Sequence, residues 1–97
     1  IVGAGNIGRA LTDYHEFARQ GFHIRVVFDN DPEKIPRQCN GLPIVDIHKA
    51  KEYARNNPLD IIIIAVPAKF AQEVCDIFVD AGIKAFLNFA PISLQVP

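Results

Sequence analysis

The chain has 97 residues and a formal net charge of −1, and its Lys and Arg residues form no cluster, so this segment carries no nucleic-acid footprint of its own. Its longest apolar run, Ile61 to Val66, falls far short of the roughly 18 residues that span a bilayer. The two cysteines, Cys39 and Cys75, have neither CxxC nor metal-ligand spacing, and no signal peptide is visible, so the expectation is a single domain in a reduced, cytoplasmic setting without membrane contact.

Ile1-Val2 read as the tail of a first strand, and Gly3-Ala4-Gly5-Asn6-Ile7-Gly8 follow directly. This is the GxGxxG turn that opens a dinucleotide-binding βαβ unit. Gly3 makes the tight strand-to-helix turn, Gly5 lets the backbone approach a pyrophosphate, and Gly8 lets the helix pack on its strand. The phosphates would face a helix N-terminus, whose unpaired amides favour negative charge. Ile7, Ala10, Leu11, Tyr14, Phe17 and Ala18 recur at three- and four-residue steps, which predicts one amphipathic helix from Ile7 to about Gln20, stopped by Gly21.

His23 to Phe28 read as a second strand ending in Asp29, 21 residues after Gly8. A carboxylate there accepts both hydroxyls of an adenosine ribose and repels the extra phosphate of NADP, and the following Asn30 and Asp31 supply no arginine. The site is therefore read as selective for NAD over NADP. The acid at this spacing adds weight that a glycine turn alone lacks.

Pro32 to Gly41 read as a loop, and Leu42-Pro43-Ile44-Val45 as a short strand on the sheet's flank, where proline is tolerated. Asp46 or Ile47 to about Asn56 reads as a polar helix. Asp60 to Ala65 is nearly all β-branched and apolar, as expected of a central strand buried on both faces of a parallel sheet. Pro67 suits the first position of a helix whose buried stripe is Ala71, Val74, Cys75 and Phe78, up to Gly82. Lys84 to Asn88 gives a fifth strand. Strands alternating with helices predict an α/β, doubly wound parallel sheet of the Rossmann type over residues 1–97. Such a fold normally continues to a sixth strand, so the chain is read as a piece of a longer protein.

Functional residues of this topology gather beyond the strand C-termini: Gly3 to Gly8, Asp29 to Asp31, Val66-Pro67, and Asn88-Phe89-Ala90-Pro91. The last two groups are expected to flank the nicotinamide end. They are mostly apolar, and no His–Asp pair or Lys is expected there to polarise a carbonyl, as hydride transfer requires. The chain is accordingly read as a binding module and not an enzyme. His15, His23 and His48 read as solvated or satisfied side chains and not as catalysts. For Tyr14 two readings stand, packing against the sheet or reaching the coenzyme edge.

These residues resemble the Rex redox-sensing transcriptional repressors of bacteria. The resemblance runs through Gly3 to Leu11 with Tyr14, Phe28 to Ile35, Gly41 to Val45, Val66-Pro67 with Ala71-Gln72, Gly82 to Lys84, and Leu87 to Pro91, ending in Leu94-Gln95-Val96-Pro97. Asn88-Phe89-Ala90-Pro91 is more specific than the glycine turn, and Pro36 departs from the glycine that the family often has there. The resemblance implies a central domain that binds NADH or NAD⁺, a separate N-terminal winged-helix domain that binds operator DNA, and a homodimer completed by a swapped C-terminal helix. NADH binding would release the operator. Two rivals are a CoA-binding module of the acyl-CoA ligase kind, which has little use for Asp29, and a fragment of an NAD-dependent dehydrogenase.

Overall fold

The computed structural model describes residues 1–3, 5–31, 33 and 38–89, with the side chain of Asn6 excepted. Five strands are formed: β1 Val27–Asp29, β2 Gln38–Cys39, β3 Leu42–Asp46, β4 Ile61–Ile64 and β5 Ala85–Asn88. The helices are α1 Asn6–Thr12, α2 Glu16–Arg19, α3 Ala50–Asn56 and α4 Ala68–Asp80.

Val2 sits at the middle of the sheet without belonging to a labelled strand. It bridges Phe28 on one side and Ile64 on the other, both parallel. The Val2 amide donates to the Ile63 carbonyl at 2.8 Å and the Ala65 amide to the Val2 carbonyl at 2.9 Å, while the Gly3 amide reaches the Phe28 carbonyl at 2.8 Å. With β1 parallel to β3 and β4 parallel to β5, the order across the sheet is β2-β3-β1-Val2-β4-β5. The expected Rossmann-type sheet is present, with the chain reversing its direction of progress at Val2.

Alternation along the strands sorts the core. Val26 and Phe28 join Ile62, Ile64, Ala71, Val74, Cys75 and Phe78 in one cluster, with Ile47 and Ala50 beside them. Val27 points the other way, to Cys39 and Ile44. Phe28 is the hub of the larger cluster, edge-on to Phe78 at 5.2 Å and to Tyr53 at 5.5 Å between ring centroids. Such offset and edge-to-face pairs add to the area that the rings bury. α4 carries the stripe expected for it, since Ala71, Val74, Cys75 and Phe78 are its buried residues. Pro67 caps that helix from just outside it, and Ile62 to Ile64 are buried as expected of a central strand.

Five expectations need correction. The single helix from Ile7 to Gln20 is two helices broken at Asp13 to His15. The Thr12 hydroxyl donates back to the Arg9 carbonyl at 2.8 Å, and the Asn40 side-chain amide donates to the same carbonyl at 3.0 Å and to Thr12 Oγ1 at 2.7 Å. These side chains satisfy the end of α1 and let it stop there. The expected apolar stripe is thereby split, leaving Ile7 and Tyr14 more than half exposed.

The second strand is shorter than expected, Val27–Asp29 in place of His23 to Phe28. On the Val2 side its backbone hydrogen-bond partners among the described residues are Ile1 and Gly3. The stretch from Pro32 to Gly41, read as loop, contains β2, joined to β3 by Asn40-Gly41 with both residues at positive φ (49° and 82°). That is the backbone of a type I′ hairpin turn. β3 is consequently covered by β2 on its outer side, with Gln38 opposite Pro43, and is not the edge strand. Finally, the polar helix opens as a single 3-10 turn, Ile47–Lys49, before α3 begins.

Candidate functional site

A cavity of about 470 Å³ opens at the C-terminal ends of the strands. Gly3 and Gly5 line it from the first turn, Asp29, Asn30 and Asp31 from the end of β1, Ile47 and His48 from the end of β3, and Val66 and Pro67 from the end of β4. Phe70, Glu73, Val74 and Ile77 of α4 close the far wall. A second cavity of about 420 Å³ lies at the opposite ends of the strands, between residues such as Phe22, Val26 and Leu59, away from the glycine turn.

Gly3 and Gly8 make the close backbone contacts that the sequence suggests for them. Gly3 has φ +108°, and a Cβ there would come within 2.6 Å of the Ala65 carbonyl oxygen. Gly8 is buried against the turn, where a Cβ would stand 1.8 Å from the Gly3 carbonyl oxygen. Gly5 has φ −80° and nothing within 4 Å of where a Cβ would be. No protein atom requires a glycine at position 5, so the space above it faces only the cavity. It lies beside an N-terminus of α1 that no side chain caps.

Asp29 is held in place by its own turn. Its Oδ1 accepts from the Asn30 amide at 2.7 Å and the Asp31 amide at 3.1 Å, an Asx-type arrangement that fixes the carboxylate at the cavity wall. Asp31 repeats the pattern, accepting from the Glu33 amide at 2.9 Å.

Val66 and Pro67 line the same cavity as Asp29, at the end of β4 and on the other side of the glycine turn from β1. Asn88, at the end of β5, pairs in register with Ile64, and the Phe89 amide donates to the Ile64 carbonyl at 2.9 Å. Neither lines the cavity, and Phe89 is exposed one strand beyond it. Ile7 is exposed on α1. Tyr14 does not pack against the sheet: it stands exposed, with its ring edge-on to Phe17 at 5.0 Å. Ala4, Ala90 and Pro91 lie outside the described residues, as do Pro36 and the Leu94 to Pro97 tail.

A histidine–carboxylate pair stands beyond the end of β3, on the other side of the site from the Val66-Pro67 group to which the expectation applied. Asp46 Oδ1 lies 2.8 Å from His48 Nδ1 and also accepts from the His48 backbone amide at 2.9 Å. That amide, and then the His48 ring, hold the Asp46 carboxyl below the usual carboxylate range. His48 is exposed and hydrogen-bonded, as the sequence suggests, whereas no local pattern marks Ile47, Phe70, Val74 and Ile77 as cavity walls. β3 pairing beside β1 brings Ile47 and His48 near Asp29, and α4 supplies the other three. The pair is surface-exposed and lies across the sheet from β5, so it faces the end of the site remote from Asn88.

Comparison with known proteins places this geometry. The family model described as the CoA binding domain matches residues 1–92. The chain belongs to the CoA-binding domain family. Within that family it is similar to the Rex repressors. It is 46% identical over all 97 residues to the redox-sensing transcriptional repressor Rex of Desulfitobacterium hafniense and 50% identical to that of Carboxydothermus hydrogenoformans. It covers 46% and 47% of their lengths, so the chain spans just under half of the curated relatives that it matches. Among solved structures, RSP, a Rex-family repressor, superposes with a TM-score of 0.94 at 36% identity, over 99% of this chain and 46% of that one. RSP has been solved with β-NAD⁺ and operator DNA (TM-score 0.93, 44% of that chain covered) and with β-NADH (TM-score 0.92, 46% covered). The Rex relatives of this CoA-binding-domain chain are thus repressors and not enzymes. Among the described residues no helix is long and apolar enough to cross a membrane.

Proposed function

We propose that the chain is the NAD(H)-binding, redox-sensing domain of a Rex-type transcriptional repressor, and that NADH binding releases the operator. The observation that carries this reading is the convergence of Gly3, Gly5 and Asp29 on one cavity, in a fold shared with a repressor solved with both NAD⁺ and NADH. In the order along the sheet, the diphosphate lies over the turn from Gly3 to Gly8, including Ala4, Asn6 and Ile7, and Asp29 takes the adenosine ribose. Val66 and Pro67 form the wall beyond the diphosphate, and Asn88, Phe89, Ala90 and Pro91 meet the nicotinamide. The rest of the repressor supplies the operator-binding winged helix, a homodimer partner and a swapped C-terminal helix, and the whole works in the cytoplasm. This domain performs no catalysis.

NADH and NAD⁺ differ at the nicotinamide, which is neutral in one and cationic in the other. Apolar surroundings such as Val66, Pro67 and Phe89 penalise the charged ring. A difference of about 2.7 kcal/mol corresponds to a hundredfold preference for NADH. That differential affinity is the most that the ligand can contribute to a shift between DNA-competent and DNA-incompetent arrangements.

The test is a side-by-side calorimetric titration with NADH, NAD⁺, NADPH and CoA. NADH binding more tightly than NAD⁺, with NADPH and CoA weak, is the expected result. Equal affinities for NADH and NAD⁺ would remove the sensing reading for this domain, and a preference for CoA would return the chain to the ligase-like reading.

A further inference from the structure

We infer that His48 reads the nucleobase of the bound dinucleotide, accepting a hydrogen bond from the exocyclic amine of adenine while Asp46 holds its ring. The inference rests on the dinucleotide reading above and assigns to that site a specificity residue. The C-terminal ends of the strands present, in spatial order, His48 after β3, Asp29 after β1, Gly3 after Val2, and Val66 after β4. A dinucleotide with its ribose on Asp29 and its phosphates over Gly5 has one direction left for its base, outward past β1 to β3. There the cavity is walled by Ile47 and by Phe70 and Val74 of α4, apolar surfaces that suit the faces of a planar ring.

The Asp46 carboxylate meets both the backbone amide and Nδ1 of His48, so Nδ1 carries the proton in the neutral ring and Nε2 is left as an acceptor. Adenine offers that acceptor an N–H donor. Hypoxanthine offers a carbonyl oxygen at the same position, which sets two lone pairs against each other. Asp29, Asp31 and Glu73 also line the cavity, but carboxylates are acceptors too and make no distinction in favour of a carbonyl base.

The experiment compares NADH with its hypoxanthine analogue, deamino-NADH, at pH 8 by calorimetry, on the chain as given and on His48→Ala and Phe70→Ala. The unsubstituted chain is expected to favour NADH about five- to tenfold, the value of one hydrogen bond. His48→Ala is expected to bring the two within about twofold. Phe70→Ala is expected to weaken both while leaving their ratio intact, which separates stacking from base reading. Reduced nicotinamide mononucleotide, which has no adenylate, should bind the chain and His48→Ala alike. If the chain binds NADH but does not discriminate against the analogue, or if His48→Ala keeps the full discrimination, the role of His48 is overturned while the dinucleotide site stands. If the chain binds no NADH, both are overturned.

Discussion

The carbonyl oxygen of Gly3 occupies the place of a Cβ on Gly8, only 1.8 Å from where that atom would sit. The first turn of α1 and the end of the first strand segment are therefore in backbone contact, whereas a Cβ on Gly5, between them, would meet no heavy atom within 4 Å. The two glycines are expected to fail in different ways. Gly8→Ala should destabilise the fold by about 1–3 kcal/mol or more, as over-packing against immovable backbone does, and lower the melting temperature by several degrees. Gly5→Val should keep the melting temperature within a degree or two and abolish NADH binding by filling the phosphate space. Thermal melts and titrations of both variants check the pair. A destabilised Gly5→Val chain would mean that the loop, and not a ligand, demands that glycine.

Asp29 both builds its turn and faces the cavity, so the informative substitution is Asp29→Asn. The amide oxygen can still accept from the Asn30 and Asp31 backbone, so the turn should survive. Hydrogen bonds to a charged group are worth about 1.5–3 kcal/mol, which predicts a loss of at least about tenfold in NADH affinity. Removal of the charge also relieves repulsion of a 2′-phosphate, so the preference for NADH over NADPH should shrink. An unchanged ratio would show that Asp29 does not meet the ribose.

Phe78 is fully buried and packs on Phe28, so Phe78→Ala should cost about 3–5 kcal/mol. That is a large share of what a domain of this size possesses, and far-UV circular dichroism with urea melts should show a chain at the edge of folding.

Where the sequence pattern ran unbroken, it was sufficient. Ala71, Val74, Cys75 and Phe78 sit on a 13-residue helix whose period is never interrupted, and the isoleucines of β4 declare a buried strand by their branching alone. The break after Thr12 was not legible, because the side chain that meets the Arg9 carbonyl belongs to Asn40, 31 residues further on. The hairpin at Asn40-Gly41 was legible and was passed over, since Asn-Gly is the dipeptide that a type I′ turn favours. Gly3, Gly5 and Asp29 came from spacing. His48 needed the sheet order, which brings the end of β3 beside the end of β1, and no local pattern contains that.

Val2 lies at the centre of the sheet and at the start of the chain, and its bridges reach 26 and 62 residues away, to Phe28 and Ile64. The β1–β3 partners are 17 residues apart and the β4–β5 partners 24, so the bridge to Ile64 closes by far the longer loop. Among the described strand pairings the two pairs are stitched to one another through this one residue. Loop closure must come before the contacts that repay it, so the two halves of the sheet can assemble before the seam between them closes. The last step of folding then falls to the strand that carries the glycine turn, and the crevice above that turn exists only once the seam is shut.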